Sequence, residues 1–182
     1  MSHKRETVNF YGKIRGCSKL LVLDLGFLGD AIHLIPALWM IRKSLPDARL
    51  DVMIADHIKS LYDLLPWVDT VIGYPRFPVA PKWHEDIVRI RSLRKEKYAA
   101  VINVNGSDRT SILTYLTGAE FRLGRIPDRS PLFLKYCFTS TISVPSHTKP
   151  VYLQHCECLE KAGFPKSEIK FPIIIPPRIR QK

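Results

Sequence analysis

The sequence predicts an α/β fold, a parallel sheet flanked by helices, from three observations. The first is Leu20 to Ile41, LLVLDLGFLGDAIHLIPALWMI. An apolar run, a turn at Gly26-Phe27-Leu28-Gly29-Asp30 and a long, mostly apolar segment read as buried strand, tight turn and buried helix. The second is that strand-like and helix-like segments keep alternating along the chain, the pattern of successive βα units. The third is size: 182 residues, 46% hydrophobic and 25% charged, suit one domain with a sizeable core. Open sheets of this kind place ligands at the carboxyl ends of their strands, which draws attention to Asp30.

Composition excludes several classes. Asp24, Asp30, His33 and Pro36 interrupt the apolar stretch, and a charge near mid-bilayer costs roughly 2.5–3.5 kcal/mol on insertion scales, so a core strand and helix are expected rather than a membrane span. Residues 1–19 are polar and basic, without the apolar region of a secretory signal. Cys17, Cys137, Cys156 and Cys158 form no CxxC pair, which suits a reducing, cytoplasmic setting. The net charge is +11, but seven of those charges lie in residues 1–19 and 178–182. The rest is an ordinary excess, pointing to an anionic substrate or an acidic membrane surface rather than to nucleic acid.

Taken in order, residues 1–18 are expected to be a loosely ordered basic arm. A strand follows from Leu20, and then a helix beginning at Asp30, which Pro36 should kink and which Arg42 and Lys43 close at the negative end of its dipole. Arg49 to Ala55 reads as a second strand, Asp56 to Leu65 as a short helix and Val68 to Ile72 as a third strand. Three prolines in Tyr74 to Pro81 exclude regular structure. Trp83, Ile87, Ile90 and Leu93 share a helical face whose opposite side is basic, a solvated surface or a site for a phosphorylated partner.

Tyr98 to Val104 is a fourth strand, and Ser107 or Asp108 caps a helix with Ile112, Tyr115 and Leu116 expected inward. Phe121 to Leu123 is a short strand, and Gly124 to Pro131 a polar loop carrying Arg125, Asp128 and Arg129. Leu132 to Val144 shows no clear geometry. Val151 to Ala162 is a helix with a stripe of Val151, His155, Cys158, Leu159 and Ala162, and Ile169 to Ile175 reads as a strand broken by Pro172. Residues 176–182 resemble an interdomain linker.

Asp30 has two readings from position: a helix N-cap, worth about 1 kcal/mol, or a general base beside Gly29, where a substrate can approach the backbone. His33, three residues on, is either a packing histidine or a substrate ligand. Asn105 and Arg125 lie in loops after strands, where substrate contacts gather. Arg109, near a helix start, either binds an anion with that N-terminus or is simply exposed. Gly26 and Gly29 lack the close first pair of G-x-G-x-x-G, and no P-loop lysine is present, so no nucleotide cofactor is expected. His155, Cys156 and Cys158 do not converge on a helix, so no metal is expected either.

The blocks LLVLDLGFLGDAIHLIPALWMIRKSLPDARLDVMIA, VDTVIGYPR, YAAVINVNGSDRTSILTYLTGAEFRLG and VYLQHCECLEKAGFP resemble, in order, the amino-terminal half of the heptosyltransferase-like glycosyltransferases, family 9. The sharpest part is Leu28-Gly29-Asp30 with the helix that follows and Pro46-Asp47. The resemblance implies the Rossmann-like amino-terminal half of a GT-B enzyme with its active site between two domains. It implies that residues 19–175 hold the acceptor, a phosphorylated sugar or glycolipid of the lipopolysaccharide core, with Asp30 as base; Gly29, His33, Asn105, Arg109 and Arg125 are the candidate substrate-binding residues beside it. A carboxy-terminal domain, expected after the 176–182 linker and absent from this sequence, would bind the nucleotide-sugar. Transfer would be inverting and metal-independent, in the cytoplasm or at the inner membrane, and this chain alone would be incomplete. Phe27 is bulkier than the small residues common there, and Asn103 stands where an acid is common. A non-catalytic module binding an anionic glycolipid or nucleotide is the alternative.

Overall fold

Alternate residues of each central strand enter different cores, as the two-residue period of a strand buried on both faces requires. A computed structural model describes residues 9–75, 82–126, 131–145 and 149–175. The strands are β1 (Lys19–Leu23), β2 (Arg49–Ala55), β3 (Thr70–Tyr74), β4 (Ala100–Asn103), β5 (Phe121–Arg125) and β6 (Ser140–Ile142). Leu20 and Val22 of β1 face one core with Val52, Ile54 and Ile102, whereas Leu21 and Leu23 face the other with Met53 and Val101.

The helices are α1 (Phe10–Ile14), α2 (Leu28–Ser44), α3 (Trp83–Lys95), α4 (Asp108–Leu116), α5 (Leu132–Tyr136) and α6 (Val151–Lys161), with a 3₁₀ helix over Asp56–Leu64. α1, α2 and α6 pack on the first core, while α3 and α4 contribute Leu93 and Leu113 to the second. All pairings are parallel, in the order β3-β2-β1-β4-β5-β6. The chain runs outward from β1 to β3, then returns to β4 on the other side of β1. The order therefore reverses between β1 and β4, and the loops after those two strands flank the crevice where such sheets bind ligands.

Several expectations are corrected. Residues 10–14 of the expected loose arm form a helix with Phe10 and Ile14 fully buried. Tyr11 anchors it, through a backbone bond to Ala162 (3.0 Å), a hydroxyl bond to Ser44 O (3.1 Å) and a ring contact with Phe164. α2 starts two residues before Asp30 and runs as one helix through Pro36. On α4 the buried face carries Thr110, Ser111, Leu113 and Thr114, while Tyr115 is exposed. The hydroxyls of Ser111 and Thr114 donate to the carbonyls of Ser107 and Thr110, each at 2.8 Å. Polar residues satisfied by their own helix can be buried, and apolar pattern alone does not reveal this.

Leu132 to Val144, geometrically unclear from sequence, contains α5 and the edge strand β6. Ile169 to Ile175 forms no strand. It lies outside the sheet, tied by Ile174 N–H to Leu64 O (2.9 Å) and by the Trp67 indole to Pro172 O (3.0 Å). The loop over 76–81, Asp128, Arg129 and the 176–182 segment lie outside the described residues, as does the Trp83 side chain. Among the described residues no helix is long and apolar enough to cross a membrane.

Candidate active site at the strand switch point

The two crevice loops are tied together by one buried carboxyl group. Asp24, just past β1 and 3% exposed, accepts from Gly26 N–H at 2.8 Å and from the Asn105 side-chain amide at 3.2 Å. Burial pushes its pKa up, opposed by those two donors. Asn103, at the end of β4, builds the second loop: its carbonyl oxygen accepts from the N–H groups of Asn105 (3.1 Å) and Gly106 (3.2 Å), and its amide donates to Thr114 Oγ1 (3.1 Å). An ionised acid could make the first two bonds but not the third, which accounts for asparagine at this buried position. Gly106 sits at φ +68°, and a side chain there would meet the Arg125 carbonyl.

Asp30 is not the N-cap. Phe27 holds that position with extended backbone, and Asp30 stands third in α2 with Oδ2 accepting from Phe27 N–H at 2.8 Å. Its charge still lies at the positive end of the helix dipole. The other carboxylate oxygen has no hydrogen-bond partner among the described residues, and the side chain is partly exposed. Gly26 makes this arrangement possible, because a Cβ there would fall 2.4 Å from the Asp30 Cβ. Gly26→Ala is therefore expected to displace Asp30, break the bond to Phe27 and cost about 1–3 kcal/mol, the usual range for overpacking, read by urea denaturation. By contrast, a Cβ on Gly29 would meet nothing within 4 Å, so the fold itself does not require that glycine. Phe27 and Leu28 stand exposed on the same turn.

Across the crevice, Arg125 ends β5 and its Nη1 lies 3.3 Å from His155 Nδ1 on α6. His155 is buried, and burial, Arg125 and His33 together push its pKa down to about 3 from 6.5. An imidazole kept neutral in the folded chain but free to protonate when unfolded stabilises the fold above the unfolded pKa, and that stability is lost as pH falls through the folded one. The wild-type chain is expected to lose stability as pH drops from 6.5 toward 3, and His155→Asn to flatten that loss, measured by denaturation across the range. His33 stacks on Tyr152 with centroids 6.0 Å apart. Neither His33 Nδ1 nor His155 Nε2 has a hydrogen-bond partner among the described residues.

Arg109 is committed elsewhere. It donates to the fully buried Asp86 at 2.6 Å and to the Tyr74 hydroxyl, which itself donates to Asp86 at 3.0 Å. Arg89 contacts the other oxygen of Asp86 at 3.0 Å. The expected anion-binding arginine is thus part of a network joining β3, α3 and α4. The structure places Asp30, Gly29, Asn105, Arg125 and His33 at the carboxyl-end face, and Arg109, at the start of α4 on the same end, is held there by Asp86 and the Tyr74 hydroxyl. Sequence reading missed Asp24, Asp86 and the contact of His155 with Arg125. Only Asp24 had a local signal, as the charge in an otherwise apolar run. Cys156 and Cys158 are buried free thiols, and among the described residues no group of three or more His, Cys, Asp or Glu side chains could hold a metal.

No family model matches the sequence, and no curated protein matches it significantly. Solved structures do. The glycosyl transferase family 9 structure from Veillonella parvula DSM 2008 superposes with a TM-score of 0.69 at 22% identity, covering 81% of this chain and 42% of that one. The chain shares its fold with family 9 glycosyltransferases. E. coli heptosyltransferase WaaC with ADP-2-deoxy-2-fluoro heptose gives a TM-score of 0.68 at 20% identity, over 84% of this chain and 51% of that one. E. coli ADP-heptose lps heptosyltransferase II gives 0.69 at 16% identity, over 88% and 47%. The 182-residue chain thus spans about half the length of these family 9 and heptosyltransferase structures. The Rossmann-like parallel sheet flanked by helices expected from the resemblance is the fold observed, with six strands.

Proposed function

We propose that this chain is the acceptor-binding domain of an inverting, heptosyltransferase-like glycosyltransferase, with Asp30 as the base. The observation that carries the reading is the Asp30 carboxylate, with one oxygen anchored by Phe27 N–H. Its other oxygen has no bonding partner among the described residues, beside a glycine whose missing side chain leaves open space. A sugar hydroxyl is too weakly acidic to attack unaided and needs a positioned base. In the proposed step the acceptor oxygen bonds to the anomeric carbon from the face opposite the leaving group. Asp30 takes the hydroxyl proton, and the carbon–oxygen bond to the nucleoside diphosphate breaks with its electron pair leaving on the diphosphate.

Within this reading Asn105 holds the crevice open by pinning its loop to Asp24, and Arg125 and His33 face an anionic acceptor, a phosphorylated sugar or glycolipid of the lipopolysaccharide-core type. Within the same reading the nucleotide-sugar is bound by a second α/β half, which is supported by the chain spanning about half the length of the solved glycosyltransferases. The chemistry requires no metal, and it takes place in the cytoplasm, peripherally at the inner membrane where a glycolipid acceptor would lie. That WaaC was solved with ADP and with ADP-2-deoxy-2-fluoro heptose supports a nucleotide-sugar as the donor class.

The test is to supply the chain, joined to or mixed with a donor-binding half, with a nucleotide-heptose and a phosphorylated core glycolipid. Acceptor-dependent release of nucleoside diphosphate is the expected result. Saturable acceptor binding without transfer would instead make the chain a non-catalytic module, and absence of both would overturn the reading.

A further inference from the structure

We propose that His155 is a positioning residue for the acceptor site. Its neutral imidazole accepts from Arg125 and aims that guanidinium while leaving the positive charge uncancelled for an anionic group of the acceptor. The inference rests on the reading of Arg125 as an acceptor ligand, and goes beyond it by assigning a function to a buried group that touches no substrate.

The molecule offers its own comparison. Arg42, Arg49, Arg89 and Arg109 each meet a carboxylate, whereas Arg125, like Arg122 with its two carbonyl acceptors, has no carboxylate partner among the described residues. Its partner is His155 Nδ1 at 3.3 Å, and Asp24 interacts with it only through space. Arginine carries donors and no acceptor, so Nδ1 must be the unprotonated nitrogen, which places the ring proton on Nε2. Position is fixed by packing: His155 is 3% exposed on α6, and three residues earlier Tyr152 stacks on His33 of α2, joining the two helices. The cationic groups facing His155 are Arg125 from β5 and, when protonated, His33 from α2, and both oppose a second positive charge on it. A carboxylate in place of this imidazole would hold Arg125 as firmly but neutralise it. A neutral acceptor orients the cation without cancelling its charge.

The test uses the 182-residue chain and inorganic phosphate as probe, with affinity followed by NMR at the Arg125 side-chain N–H. His155→Asn places an acceptor where Nδ1 stands and should keep phosphate affinity within about threefold. His155→Leu removes the acceptor and should weaken binding about tenfold or more, and His155→Asp retains an acceptor but should weaken it at least as much by cancelling the charge. A purely structural role predicts no such split between Asn and Asp. Unchanged affinity in folded His155→Leu or His155→Asp, with Arg125→Gln impaired, would overturn the positioning role alone. Unchanged affinity in Arg125→Gln would overturn the ligand reading and this inference with it. Should the variants not fold, the tautomer in the wild type decides: Nε2–H with bare Nδ1 over roughly pH 5 to 8 is expected, and an Nδ1–H tautomer would refute the proposal.

Discussion

Asp30→Asn, introduced in the chain joined to its donor-binding half, is expected to lower glycosyl transfer by about 10²- to 10⁴-fold, the range that a general base supplies. Asparagine keeps an oxygen able to accept from Phe27 N–H, the bond that Asp30 makes at 2.8 Å, so the start of α2 should survive. The loss of charge at the helix N-terminus costs only about 0.3–1 kcal/mol. Asp30→Ala removes base and helix-terminal bond together and should add a stability loss of about 1 kcal/mol to the same kinetic defect. The two variants separate the roles: a purely structural bond to Phe27 N–H predicts that Ala is harmful and Asn nearly silent in transfer assays, whereas a base predicts that both fail. Transfer near the wild-type rate in Asp30→Asn would remove the residue from the mechanism.

The second large effect concerns stability. Asp86 is fully buried and accepts from Arg109, Arg89 and the Tyr74 hydroxyl, while both guanidinium groups pack against the Tyr74 ring. Removing one partner of a buried ion pair typically costs 3–5 kcal/mol, because the charges left behind lose their compensation. The side chains of Arg89 and Arg109 are 24% and 27% exposed and can partly rehydrate. Asp86→Ala is therefore expected near the lower end, about 3 kcal/mol, read as a fall in the urea midpoint without a change in slope. In a double-mutant cycle with Arg109→Met the two losses should be far from additive. A cost below about 1 kcal/mol would make the network an ordinary surface cluster and return Arg109 to the list of candidate acceptor ligands.

The strand–turn–helix at Leu20 to Ile41 was legible because its signals are local. A run of apolar residues, two glycines and an acid at the head of an apolar helix restrict the backbone through nearest neighbours. For the same reason Arg49–Ala55 reads as β2 from its own residues, and Ser107 or Asp108 as a cap, of which Ser107 is the one whose side chain accepts from Thr110 N–H. Signals fail when the deciding partner is remote. Ile169 to Ile175 has strand composition, but a strand needs a free sheet edge beside it, and this segment docks instead near the 3₁₀ helix and Trp67.

By itself, the sequence determined that this protein is an α/β chain with one organising βα unit, and that Asp30 and Gly29 stand at the carboxyl end of its strand. Periodicity and turn chemistry suffice for that, since both act over a few residues. Only the tertiary structure decided which charges remain available. Arg109 shares Asp86, 23 residues away, with Arg89, and Arg125 rests on His155, 30 residues away. Both arginines look alike in sequence. Their difference comes from whether folding brings a carboxylate or a neutral imidazole to the guanidinium, a matter of long-range packing and of the desolvation that accompanies it.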